Sequence, residues 1–441
     1  MGSPEAPHGL ALGTYDVAAV LLVLAAAIGL INDRWFGVPR NIALLIGAMI
    51  TAALVLLADG VRLDGPVAAY WSERMHRANL SAVLLDGVLA LLLFASTLHV
   101  NPRELRDRAW PVLTLATLGV IVASVIFGVG LYGLTWLIGA PIPLIWCLVA
   151  GIILAPTDAV VVENLLRHVR MPAALRGMIT GESLFNDGAA VVLFLTALAI
   201  AAGEPDRYGH GRLVLKIAEE VVGGGLLGWA AGFAAVAMSR RLRDRTLELT
   251  ISLALALGTY RIAASIGVSG PIAVVAAGLA WRHAPRRLRG RDHQHEQIAS
   301  SWAVIDDLLN TWLFLLMGFQ ILTVRPGSTG FLLLPLVFGL AVLARAMSVG
   351  IPMAAARLPP RDKLRGVAVL SWTGLRGGIS IALALTLPDN PYHEKLLTIC
   401  YAVVIMTIVI QGLTVPRLLR ALYPPPAGAE PPPDTRTDDT G

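Results

Sequence analysis

Two carboxylates and a carboxamide, Glu182, Asp187 and Asn186, stand close together at the head of an apolar run that continues to about residue 202. An acid inside a membrane-length apolar segment is costly, and it is kept where an ion or a proton uses it. On a helix, Glu182 and Asn186 are four apart and share a face; Ser183 and Asp187 share a neighbouring one. Glu182 and Asp187, five apart, point about 140° away from each other. One acid can therefore face a partner helix while the other faces a cavity.

A second oxygen-rich stretch, Ala155-Pro156-Thr157-Asp158-Ala159, interrupts another apolar run. Pro156 brings no amide hydrogen and clashes with the preceding turn, so it breaks a helix. The freed carbonyls, the Thr157 hydroxyl and the Asp158 carboxylate form a ligand set suited to a small hard cation. Asp158 and Asp187 are the candidate ligands of a transported ion such as Na+. The competing reading is that an intramembrane arginine neutralises each acid. Two neighbouring carboxylates in low dielectric resist ionising together, the condition under which proton and cation compete for one site.

A second group comprises Glu182, Arg345 and Arg376. Arg345 lies deep in an apolar segment and stays charged, so it needs a carboxylate. Glu182 is expected to pair with Arg345, with Arg376 as the alternative, in a structural role. Asn186 can brace the broken helix near Thr157 without adding charge. Ser183 is read either as a cation ligand or as a helix-interior hydroxyl bonded to its own backbone. Glu219 and Glu220 read as interfacial, and Asp306 and Asp307 as first-turn acids of the tenth span.

The elements that carry these residues are membrane spans. Of the 441 residues, 56% are hydrophobic and only 15% charged, and the mean hydropathy is +0.69. Apolar runs of about 18–25 residues recur from end to end, the mark of an all-α polytopic membrane protein. Thirteen spans are expected, at about 15–31, 41–57, 82–98, 110–137, 142–166, 179–202, 213–238, 247–266, 268–281, 303–324, 331–356, 366–387 and 396–419. About 24 of the 35 Lys and Arg fall in alternate loops, against about nine in the others, so the crowded side is cytoplasmic. The N-terminus is then outside and the C-terminus inside the cytoplasmic (inner) membrane of a multi-pass protein. This pattern accounts for the +5 charge by orientation in the lipid bilayer; nucleic acid is not an expected partner, and no soluble partner is evident. The basic loop 282–300 reads as an orientation signal, with lipid head groups as its other reading. Cys147 and Cys400 read as packing residues. No resident cofactor and no enzyme motif is expected.

The twelfth span carries a second interruption, Thr373-Gly374-Leu375-Arg376-Gly377-Gly378. Irregular backbone at membrane depth needs protein or a water-filled cavity around it. The chain divides into an extracytoplasmic N-terminus (1–14), a transmembrane domain (15–422) and a disordered cytoplasmic tail (423–441). Within the domain, repeat one (about 15–202) and repeat two (about 247–419) flank a linker helix (about 213–238). Each repeat then holds its break in the fifth member, the pattern of inverted repeats whose broken helices cross at the midplane.

At these residues the chain resembles the monovalent cation/proton antiporters of the CPA1 group, the NhaP/NHE-type sodium–proton exchangers. The resemblance rests on 155–160, on 181–194 with its Asn186-Asp187 pair, on 371–385, and on Gln-Gly-Leu-Thr-Val-Pro at 411–416. It implies the NhaA/NhaP-like antiporter fold of thirteen helices, a homodimer, and six core helices moving against a dimerisation domain. Asp187 would carry both ion and proton, with Asp158, the Thr157 carbonyl and Ser183 as further ligands. Asn186 in place of a second acid goes with electroneutral exchange, and Glu182–Arg345 would be the structural pair. Relatives often carry an acid after the Phe of the third span, where this chain has Ala95. The expected function is secondary active Na+ (Li+ or K+)/H+ antiport by alternating access. The alternatives are a K+/H+ antiporter on the same fold and a gated cation channel.

Overall fold

A computed structural model describes residues 14–58, 87–99, 109–158, 173–203, 213–239, 244–283, 292–322, 330–355 and 360–423. The N-terminal segment, the C-terminal tail, most of the basic loops and the second half of the fifth span lie outside the described residues. Every regular element among the described residues is helical. We label them α1 (Thr14–Ile31), α2 (Arg40–Ala58), α3 (Leu89–His99), α4 (Ala109–Leu137), α5 (Leu144–Ile153), α6 (Ala173–Ala201) and α7 (Leu213–Ser239). The second half of the chain gives α8 (Arg245–Ser265), α9 (Gly270–His283), α10 (Asp292–Phe319), α11 (Gly330–Ala355), α12 (Pro360–Trp372), α13 (Gly378–Leu385) and α14 (His393–Leu422). Counting α12 and α13 as two halves of one interrupted element, the described helices make thirteen units.

Nine of the described helical stretches are long and apolar enough to cross a membrane unaided. The others are short because they are interrupted or packed inside. α5 stops at Ile153, ahead of Pro156, and Thr373–Gly377 separates α12 from α13. Two long helices also contain a widened π turn, at Leu115–Gly119 within α4 and at Thr407–Gln411 within α14. Such single turns leave the helix running but re-aim its faces.

Two boundaries correct the sequence reading. α10 begins at Asp292, inside the stretch read as a basic loop, so Asp306 and Asp307 lie mid-helix and are not first-turn acids. The stretch 292–301 is polar and was invisible to a hydropathy reading, yet it has no Pro or Gly to stop a helix. Likewise α12 starts at Pro360, within the expected basic loop; proline is tolerated in a first helical turn, where its missing N–H has no partner to lose.

Among the described residues most buried apolar side chains form one large core drawn from both halves, and Val120, Ala123, Ala155 and Ala190 form a small second cluster beside the first break. Phe94 of α3 stacks on Trp302 of α10 at 4.8 Å, and Trp302 Nε1 donates to Ser252 Oγ of α8 at 2.9 Å. α7 packs closely on α9 because Gly224, Gly228 and Gly232, each four apart, face its backbone: added Cβ atoms would meet the carbonyl oxygens of Ser269, Ala273 and Ala277. These obstacles are backbone, so neither helix can yield by a rotamer change. Gly228→Ala is expected to lower stability by about 1–3 kcal/mol through overpacking. Gly225→Ala, where a Cβ meets nothing within 4 Å, should be neutral or raise stability by up to about 1 kcal/mol. Thermal unfolding of the detergent-purified variants checks both signs.

Candidate functional site

The two interruptions meet. Residues 154–158 after α5 and 373–377 before α13 are non-helical, and both segments leave backbone groups without a helical partner. They satisfy each other. The Asp158 amide donates to the Leu375 carbonyl at 2.8 Å. In return, Arg376 Nη1 donates to the carbonyls of Ala155 at 2.5 Å and Pro156 at 3.2 Å. The Arg376 amide also donates to Thr407 Oγ1, in the first residue of the π turn of α14, at 3.4 Å. Arg376 is buried, 2% exposed, and it serves carbonyls of the first break that lie beyond the end of α5. A hydrogen bond to a charged group contributes about 1.5–3 kcal/mol. Arg376→Ala is therefore expected to destabilise the junction and suppress transport, with Arg376→Lys intermediate because an ammonium lacks the guanidinium's planar fork. Transport in vesicles, beside thermal unfolding, measures this; wild-type transport in Arg376→Ala would contradict it.

α6 supplies the other half of the site. Thr157 is fully covered, and its hydroxyl joins the Ser183 hydroxyl at 3.1 Å and accepts from Asn186 Nδ2 at 2.9 Å. Asn186 thus reaches the first break, and Ser183 bonds across to Thr157. Glu182, 1% exposed, faces another way. Arg345 of α11 grips it with two hydrogen bonds, Nη1–Oε1 at 2.5 Å and Nη2–Oε2 at 2.7 Å, while Arg345 Nε donates to the Leu370 carbonyl at 3.2 Å. Glu182 therefore pairs with Arg345, and Arg376 holds backbone carbonyls.

Asp158 and Asp187 are both partly buried and both line one cavity at the junction, and Thr157 and Ser183 belong to the same lining. A side chain on Gly377 would run into the Asp158 carboxylate, so glycine is needed for the second break to approach the first this closely. Two residues in the same lining were missed from sequence, Asn310 of α10 and Ser380 of α13; Ser96 of α3, next to Ala95, lines it too. Asn310 was legible as an amide within an apolar run. Ser380 gave no signal beyond its place just after the glycine pair.

The arrangement provides two acids, four hydroxyls, a carboxamide and loosened backbone where the end of α5 meets the break between α12 and α13. That architecture defines a broken-helix secondary transporter of the membrane. The family described as the transmembrane sodium/hydrogen exchanger matches residues 22–421, and the chain belongs to it. It is 34% identical to the Na+/H+ antiporter NhaP of Pseudomonas aeruginosa over 92% of this chain and 97% of that one. It is 27% identical to the Na+/H+ antiporter NhaH of Halobacillus dabanensis over 93% and 99% of the two chains. Among solved structures, the sodium proton antiporter MjNhaP1 of Methanocaldococcus jannaschii superposes with a TM-score of 0.73 at 16% identity, covering 93% of this chain and 99% of that one. At that identity the superposition speaks for the fold.

Proposed function

We infer that this protein exchanges Na+ for H+ across a membrane, with Asp187 as the carboxylate that takes either ion. The observation that carries the reading is the placement of Asp187 beside Asp158 in one cavity at the crossing of the two breaks, within a chain of the sodium/hydrogen exchanger family. Asp158 adds the same charge to both loaded forms. Asp187 is neutralised by a cation in one and by a proton in the other. A loaded site crosses the low-dielectric barrier between the two faces; the empty site, with its uncompensated charge, does not. That rule couples the two fluxes and makes the exchange one-for-one and electroneutral. Thr157 and Ser183 supply neutral oxygens, Asn186 braces the first break, and the Glu182–Arg345 pair ties α6 to α11 as a scaffold.

The basic-loop asymmetry supports a cytoplasmic-membrane location with the N-terminus outside and the C-terminus inside. Family membership supports a homodimer. Ion choice is tested in proteoliposomes carrying an internal pH dye. Na+, Li+ and K+ are added in turn, with and without a K+/valinomycin voltage clamp. A Na+-driven pH change insensitive to voltage is the expected result. A response to K+ with none to Na+ would move the assignment to K+/H+ exchange, and ion flux without obligatory proton movement would move it to a channel.

A further inference from the structure

The cavity lined by the two aspartates has walls from α10 and α13 as well, and each of these walls carries one polar side chain, Asn310 and Ser380, among apolar neighbours. Ser380 is the third residue of α13 and only 1% exposed, and its hydroxyl has no hydrogen-bond partner among the described residues. Serines and threonines within helices usually bond back to a carbonyl three or four residues earlier. Ser96, Ser124 and Thr373 of this chain do so. Ser380 cannot, because those positions are Arg376 and Gly377, in the second break, where the carbonyls do not run along a helix axis. Ser371 also lacks a partner, but it does not line the cavity. Asn310, 3% exposed, spends its amide group on the Asp306 carbonyl at 2.9 Å, one turn back in α10. Its Oδ1 is then the end left for the cavity.

A buried hydroxyl without a partner is a cost to the protein rather than a stabilising contact. A hard cation takes several oxygens, and a carboxamide or hydroxyl oxygen serves as well as a carboxylate without adding charge. The α3 wall gives no acid here; it presents Leu92, Leu93 and Ser96. We propose that the Ser380 hydroxyl and the Asn310 side-chain oxygen are ligands of the transported cation, completing from α13 and α10 the shell begun by Asp158 and Asp187. Both are neutral oxygens held on the helices that flank the second break. They set how tightly the cation is held without changing how many charges the site carries. The assignment rests on the antiporter reading of the same cavity.

The test uses the full chain, as wild type, Ser380→Ala and Asn310→Ala. Each is reconstituted for transport and, separately, purified in detergent for thermal unfolding with and without NaCl. Ser380→Ala is expected to raise the apparent KM for Na+ by about tenfold, the loss of about one modest ligand interaction. It should unfold no earlier than wild type in Na+-free buffer, since the removed hydroxyl had no partner, and its stabilisation by Na+ should shrink. Asn310→Ala should show the same loss of Na+ affinity, on a background less stable because the bond to Asp306 is gone. A KM and a Na+-dependent shift equal to wild type in both variants would overturn the ligand assignment while leaving the antiporter reading intact. A wild type that is stabilised by Na+ but moves no protons would sink the antiporter reading. Loss of the Na+ shift in Ser380→Ala would still support the ligand role in that case.

Discussion

Asp187→Asn is expected to abolish cation-coupled proton movement in a protein that still folds. Asparagine keeps the size and planarity of the side chain and removes its charge, so a cation loses its counter-charge and a proton has no group to occupy. Position 187 is then permanently neutral, and only the unchanged Asp158 charge remains, so there are no loaded and unloaded states of residue 187 to distinguish. Folding should survive because, among the described residues, Asp187 holds no ion pair comparable to the grip of Arg345 on Glu182, and a partly buried charge is being removed rather than stranded. Asn186, one residue earlier, already places an amide at this level of α6. The effect is measured as the cation-driven pH change in proteoliposomes, with thermal unfolding as the control for structure. Exchange at the wild-type rate would remove Asp187 from the mechanism.

The second large effect concerns stability. Glu182 and Arg345 are 1% and 6% exposed, joined by two short hydrogen bonds, and they link α6 to α11 across 163 positions of sequence. Removing either partner leaves a charge buried without compensation. Glu182→Gln and Arg345→Gln should each cost about 3–5 kcal/mol, seen as early unfolding and poor yield. Glu182→Leu combined with Arg345→Met should be far milder than the sum of the single changes, because no charge is then stranded. A double-variant cycle by thermal unfolding reads the coupling directly. Additive losses would mean that the two side chains act separately. If the double variant is stable and still transports, the pair is scaffold rather than ion path.

The positions of both breaks could be read from the chain, since Pro156 and the glycines around Arg376 cannot sit quietly in a helix. The acids were legible for the same reason that makes them expensive: a carboxylate in an apolar run has few explanations. The start of α10 was not legible. Its first turns are polar, so the hydropathy that locates a span says nothing about a helix that extends beyond it, and Asp306 and Asp307 were misplaced with it. The partner of Arg376 was hidden because its acceptors are main-chain carbonyls, which every residue has; only the break decides which of them are free. Ser380 was hidden by its ordinary type, and Asn310, visible as an amide in an apolar run, could not be assigned to the cavity without packing. A serine or asparagine becomes a candidate ligand only when packing shows which of its atoms face the cavity. The π turns within α4 and α14 likewise had no local signal in those apolar runs.

The central claim is that one site takes either Na+ or a proton. It is tested most directly by the apparent KM for Na+, measured in wild-type proteoliposomes over a series of pH values with equal pH on both sides. Proton competition predicts a KM that rises as pH falls, approaching about tenfold per pH unit on the acid side, with the maximal rate at saturating Na+ unchanged. A KM independent of pH, with the maximal rate alone titrating, would contradict a shared site and place the proton on a different group from the cation.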